Sequence, residues 1–142
     1  GIEKPRVGLM NVGEEEGKGN LLAQATYPLL KENKHIHFIG NIEGRDVLAD
    51  KADVMVCEGF TGNIILKLAE SLYEIAQAQQ LHNPYFDRFN FEIYGGTPVL
   101  GVAKPVIIGH GISGATAFMN MIHLAQQMIE KDVMKKMQEE LS

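Results

Sequence analysis

A single cysteine among 142 residues allows no internal disulfide and no thiolate-based zinc site, so nothing requires an oxidising compartment. Basic residues are in deficit as well. Thirteen Lys and Arg face eighteen Asp and Glu, and the resulting net charge of −5 argues against a general nucleic-acid binder. No apolar run approaches the roughly 20 residues that a membrane-spanning helix needs, and no secretory signal pattern opens the chain. The expectation is a cytoplasmic protein. A composition of 45% apolar and 22% charged residues is that of an ordinary globular protein and excludes disorder as the main state. The length is that of one domain with a real core, and 15 glycines imply numerous turns.

What is present is a repeated local pattern. Arg6-Val7-Gly8-Leu9-Met10 reads as a strand and leads into a glycine- and acid-rich turn, Asn11–Asn20. A helix follows from about Asn20 to Glu32 with Leu22, Ala25 and Leu29 on one face; Pro28 inside it predicts a kink or an early stop. His37-Phe38-Ile39 reads as a second strand ending at Gly40-Asn41, before a short helix near Arg45–Ala49. Asp53–Cys57 reads as a third strand, followed by Gly59-Phe60-Thr61-Gly62-Asn63 and a helix from about Thr61 to Ala78. That helix carries a wide apolar arc, Ile64, Leu68 and Leu72 beside Ile65, Ala69 and Ala76, which predicts burial on more than one side. The pattern breaks over Gln79–Thr97 and resumes at a short buried strand, Val106-Ile107-Ile108, with Gly109-His110-Gly111 behind it. A final helix capped by Ser113 runs nearly to the end, with Phe118, Ile122, Ala125, Ile129, Val133 and Met137 on its apolar face. Repeated strand, glycine-rich turn and helix predict an α/β fold of parallel βα units.

Ligands of open parallel sheets lie at the carboxyl ends of the strands, beside helix N-termini. The turns Asn11–Asn20, Gly40–Asp46, Glu58–Asn63 and Gly109–Ser113 are therefore the candidate site. They supply Asn11, Lys18, Asn20, Asn41, Arg45, Gly59, Thr61, Gly62, Asn63, His110 and Ser113. Glycines let backbone amides approach a ligand, and helix N-termini favour phosphate or an oxyanion. Lys18, Arg45 and Lys67 add full charges. The bland alternative is that Gly and Asn merely satisfy turn geometry. Lys18 and Asn20, at the first helix start, are read as fixing phosphate or an acyl oxygen. The imidazole of His110 is read as bonding phosphate or a thioester oxygen, or as protonating a leaving thiolate. No P-loop spacing is present.

Other candidates divide the same way. Cys57 lacks the Gly-x-Cys-x-Gly setting of a strand-to-helix nucleophile and reads as a small structural residue. Among five histidines only His35 and His37 share a strand face, where exposed polar alternation suffices and no metal is implied. Glu14–Glu16 precede a helix start, where negative charge is favourable. Met119, Met121, Met128, Met134 and Met137 read as core or interface packing. The aromatics Tyr85, Phe86, Phe89 and Phe91 suit either membrane or acyl-chain contact or a loop packed on its own domain.

Taken together, Pro5–Glu15 with Lys18-Gly19-Asn20, Phe38–Asp46, Ala52-Asp53-Val54 with Gly59–Asn63, Tyr94-Gly95-Gly96 with Leu100-Gly101, and His110-Gly111 with Ser113 resemble the PlsX family of phosphate acyltransferases, in the family's order. The resemblance covers almost the whole chain but only the C-terminal part of a family member, which accounts for the start at Gly1. It implies a fold similar to that of isopropylmalate dehydrogenases and phosphate acetyltransferases, and it adds Gly95 and Gly96 to the substrate-binding candidates. It also implies transfer of a fatty acyl group from acyl carrier protein to inorganic phosphate, with no cofactor, in a homodimer peripherally associated with the membrane. Two departures accompany it: only Gln79–Ile93 stands where many members carry a longer helical excursion, and Ile112 and Gly114 replace expected polar residues. A short-chain phosphate acetyltransferase using CoA, or a non-catalytic dimerisation or membrane-docking fragment, are the alternatives.

Overall fold

The computed structural model describes residues 1–141. The chain divides into two compact units, Gly1–Ile64 and a second from Ile65 onward.

The first unit is built on three short parallel strands, β1 (Arg6–Met10), β2 (His37–Ile42) and β3 (Val54–Val56), in the order β2-β1-β3. Parallel strands need crossovers, and α1 (Leu21–Glu32) supplies the first. A 3₁₀ turn, Gly44–Leu48, stands where the short helix was expected. Central β1 buries Val7, Gly8 and Leu9 in succession, as a strand covered on both faces must. A Cβ at Gly8 would stand 2.7 Å from Ile42 Cγ2, so the glycine admits the fully buried Ile42 to the core. Ile39 is the extra residue of a bulge opposite Val7 and Gly8, and Gly40 absorbs it with φ of 94°. The start of β1 is clipped to the start of β3: Arg6 Nε and its terminal nitrogen each meet an Asp53 carboxylate oxygen at 2.9 Å. Those bonds hold the Asp53 carboxyl down at about 2.

Pro28 sits inside α1 without stopping it short of Glu32. The face of α1 differs from expectation. Leu22 and Leu29 are exposed, whereas Ala23, Thr26, Tyr27 and Leu30 are partly covered, and Tyr27 packs edge-on against Phe38 of β2 at 5.2 Å. With leucines at 21, 22, 29 and 30, the sequence supports either phase; ring packing decides it.

The second unit holds most of α2 (Gly59–Ala78), a short α3 (Pro84–Asp87), a 3₁₀ turn at Phe91–Ile93, and two three-residue strands. These are β4 (Gly96–Pro98) and β5 (Ile107–Gly109). They form an antiparallel ribbon rather than a fourth parallel βα unit, and Ile108 is 60% exposed rather than buried. A three-residue strand beside glycine and proline gives no periodic signal from which pairing can be read.

The predicted terminal helix is two: α4 (Ala115–Glu130) and α5 (Val133–Leu141). Asp132, with φ of 52°, makes the break, a conformation that aspartate tolerates better than most residues. Gly114, not Ser113, is the N-cap of α4. The buried stripe of α4 is Ala117, Met121 and Met128, one residue out of phase with the predicted face; Phe118, Ile122 and Ile129 are exposed. On α2 only Ala76 is buried, and Ile64, Leu66, Leu68 and Ile75 are exposed, so its apolar arc is not covered on several sides. Two of the methionines, Met121 and Met128, are core residues, whereas Met119 is exposed.

Candidate active site

In the first unit, β1, β2 and β3 end on one edge, and Asn11 N bonds Ile42 O at 2.8 Å just beyond it. A cleft of about 250 Å³ opens there, lined by Leu9, Met10, Asn20, Leu22, Ala23, Thr26, Val56, Cys57, Glu58 and Thr61. This is where an open parallel sheet places its ligands. The cleft is largely apolar, with a polar rim at the starts of α1 and α2.

The predicted turn residues have local work. Asn20 Oδ1 accepts from Ala23 N at 2.9 Å and caps α1. Asn11 Nδ2 donates to Lys18 O at 3.0 Å, and Asn41 Nδ2 to Glu15 O at 2.8 Å, so both asparagines brace the 13–19 loop. Asn41 Oδ1 is buried without a hydrogen-bond partner. Lys18 is exposed, its ammonium 3.9 Å from Glu15. Arg45 is also exposed and pairs with Glu43. Glu14, Glu43 and Asp46 gather their carboxylates, but Lys51 already lies against Glu14 and Asp46, and Asp46 is held below its usual range by the Glu43 amide and by Lys51.

At the start of α2, sequence reasoning missed Glu58. Its carboxylate accepts from Phe60 N at 2.6 Å and Thr61 N at 2.8 Å, occupying the amides where an external anion would sit. Bonds from Thr61, then from Phe60, keep that carboxyl below its ordinary range. Glutamate is a poor capping residue by type, so Glu-Gly-Phe-Thr gave no signal. A Cβ on Gly62 would lie 3.1 Å from Cys57 Sγ, whereas one on Gly59 would meet nothing. Asn63 and Lys67 are exposed. The Cys57 thiol is pushed up, first by desolvation and then by Glu58, which disfavours the thiolate a nucleophile needs.

In the second unit, His110 follows β5 at the start of the turn into α4. Its ring lies 4.8 Å from that of Phe91, tilted by 31°, and its Nε2 is 3.6 Å from Glu70 Oε2 on α2. Nδ1 is buried without a hydrogen-bond partner. A proton there would be an unsatisfied buried donor, costing about 1–3 kcal/mol. Ser113 N bonds His110 O at 3.0 Å, and Ser113 Oγ is likewise buried and unpartnered. Unlike α1 and α2, whose first-turn amides meet Asn20 and Glu58, α4 has no side-chain cap. Glu70 was invisible in sequence because nothing links a mid-helix glutamate to a histidine 40 positions later.

Gly95 and Gly96 have packing roles. Gly95 is buried at φ of 80°, with α4 backbone against it, and a Cβ on Gly96 would lie 2.5 Å from Ile108 O across the ribbon. The aromatic segment packs largely on itself. Tyr85 meets Phe86 and Phe89 edge-on at 5.6 Å each, and the Arg88 guanidinium lies 5.6 Å from the Tyr85 ring. Only Tyr85 of the four rings is exposed. Among the described residues, no helix is long and apolar enough to cross a membrane.

The family described as fatty acid synthesis protein matches residues 1–136. The chain is similar to the phosphate acyltransferase of Aquifex aeolicus, 45% identical over 96% of this chain and 46% of the relative. It is 41% identical to that of Dictyoglomus thermophilum, over 99% of this chain and 48% of the relative. It is also 41% identical to that of Chlorobaculum parvum, over 99% and 49%. The chain thus spans about half the length of the curated relatives it matches.

Proposed function

The chain belongs to the fatty acid synthesis protein family, and from that premise we propose that the protein transfers a fatty acyl group from acyl carrier protein to inorganic phosphate. The observation that carries this reading is similarity, over nearly the whole of this chain and about half of theirs, to proteins named phosphate acyltransferase. Their name supplies the acceptor; the family description points to fatty acyl groups.

The chemistry is direct displacement. A phosphate oxygen attacks the thioester carbon, the C–O bond forms, the C–S bond breaks, and acyl phosphate and a thiol are released. The protein must hold phosphate, stabilise charge on the carbonyl oxygen and deliver a proton to sulfur. We assign Lys18 and Asn20 in the first unit to phosphate or the acyl oxygen. Asn11, Asn41, Arg45, Gly59, Thr61, Gly62 and Asn63 form the rest of that unit's substrate-contacting set. In the second unit we assign proton handling to His110, and to Ser113, beside the uncapped start of α4, an anion contact. Lys67 completes the assignment, and Gly95 and Gly96, which the sequence offered as substrate contacts, serve packing instead. Cys57 carries no acyl group, in keeping with its raised thiol.

A homodimer, peripheral contact with a membrane and a cytoplasmic location belong to the same reading. The exposed Phe118, Ile122 and Ile129 of α4 are the kind of surface such a partner covers. The test is donor choice by the whole protein. The reading expects acyl phosphate from long-chain acyl carrier protein and little product from acetyl-CoA; the reverse preference would make it a short-chain phosphate acetyltransferase.

A further inference from the structure

The environment of His110 contains a group that the proposed reaction has not used. Glu70 reaches His110 from α2, with Oε2 3.6 Å from Nε2, while Nδ1 on the opposite side of the ring is buried and has no partner. Both side chains are about one-third exposed or less, at 32% for His110 and 28% for Glu70, so the pair is only partly in water. Phe91 lies against the ring at 4.8 Å and restricts its plane.

These facts constrain the proton. A neutral imidazole carries one N–H, and its position is set by what each nitrogen faces. A carboxylate attracts the N–H on Nε2, and the lack of an acceptor near Nδ1 disfavours a proton there. The carboxylate beside Nε2 is what sets the tautomer.

We propose that Glu70 is the positioning residue of His110, holding the neutral imidazole with its proton on Nε2 and the free lone pair on Nδ1. The inference rests on the reading that His110 handles protons in acyl transfer, and it sharpens that role. An imidazole in this tautomer keeps its lone pair on the buried Nδ1, and Glu70 beside Nε2 offsets the positive charge that the ring carries whenever it takes up a proton. A direct hydrogen bond from a neutral Nδ1–H to the thioester oxygen is thereby excluded.

The test combines a spectroscopic and a kinetic arm on the whole protein. With ¹⁵N-histidine labelling, the ring nitrogens of His110 are assigned by their loss in His110→Ala, and the neutral form is compared in wild type, Glu70→Ala and Glu70→Gln. The Nε2–H tautomer is expected in wild type and in Glu70→Gln, whose amide oxygen keeps a partial negative charge on that side of the ring, and a mixture in Glu70→Ala. In the kinetic arm Glu70→Ala lowers kcat by roughly tenfold or more, a part of the usual contribution of acid–base catalysis, with the phosphate KM changed by less than about twofold. An Nδ1–H tautomer in wild type, or an unchanged tautomer in Glu70→Ala, overturns the pairing. Unchanged kcat in Glu70→Ala beside an inactive His110→Ala overturns the positioning role alone. A fully active His110→Ala removes the underlying reading, and the tautomer comparison then decides the Glu70–His110 contact by itself.

Discussion

Replacing Gly95 by alanine separates a packing role from a substrate-binding one. Gly95 is buried at φ of 80°, a region in which an L side chain is strained by about 1–3 kcal/mol. Its new Cβ would stand 2.6 Å from Asn120 C and 3.0 Å from Ala117 O, and closer still to Met121 N. These are backbone atoms of α4, so no side-chain rotation relieves the clash. The helix cannot retreat cheaply either: Ala117 is fully buried, Met121 nearly so, and Asn120 Nδ2 is tied to Glu92 O at 2.8 Å. Overpacking of this kind adds about 1–3 kcal/mol, for a combined loss of roughly 2–6 kcal/mol. At about 4 °C per kcal/mol for a chain of this length, the melting temperature should fall by at least about 8 °C. Gly111→Ala is the control, since a Cβ there meets nothing within 4 Å. Circular dichroism melts of both variants beside wild type suffice. A Gly95→Ala protein that melts within about 2 °C of wild type yet has lost activity would refute the packing argument and assign Gly95 to substrate.

Other expectations follow from the same structure. Because Arg6 holds the folded Asp53 carboxyl down at about 2, from 3.8 ordinarily, its contribution to stability is complete only above about pH 5 and is lost progressively as pH falls through 2. Asp53→Asn should flatten that acid limb in pH-dependent melts, and an unchanged limb would place the acid sensitivity elsewhere. Cys57→Ser should keep turnover within several-fold, because a raised thiol is a poor nucleophile; an acyl-thioester trapped on Cys57 would overturn direct transfer. Lys18→Ala should raise the phosphate KM or cut turnover about tenfold, equivalent to about 1.4 kcal/mol, and an unchanged rate would leave Lys18 as a solvated loop residue.

The parallel βα half of the fold was legible because its signals are local. Val7 to Met10 and Val54 to Val56 are short apolar strands beside glycine-rich turns, and Asn20 caps α1 where an asparagine before an apolar run should. The second unit resisted reading for equally physical reasons. Three-residue strands at Gly96 and Ile107 have no periodicity, and the helix break at Asp132 depends on a single left-handed residue. Helix phase was misjudged on α1 and α4 because apolar residues occupy adjacent positions. Met121 and Ile122 have similar hydrophobicity, and only packing against Gly95 and Gly109 selects the methionine. The candidate site shows the same contrast. Residues that belong to turns, such as Lys18 and His110, could be proposed from their neighbours in sequence. Glu58 caps from an atypical residue type and Glu70 meets His110 only across space, and no local pattern marks either.

Incubating the whole protein with long-chain acyl carrier protein and phosphate labelled with ¹⁸O at every oxygen tests the central claim most directly. Direct attack by phosphate on the thioester predicts acyl phosphate that retains every labelled oxygen, including the one bridging carbon and phosphorus, with free carrier-protein thiol formed in equal amount. Release of unlabelled fatty acid with no acyl phosphate, as water attack would give, would contradict the account.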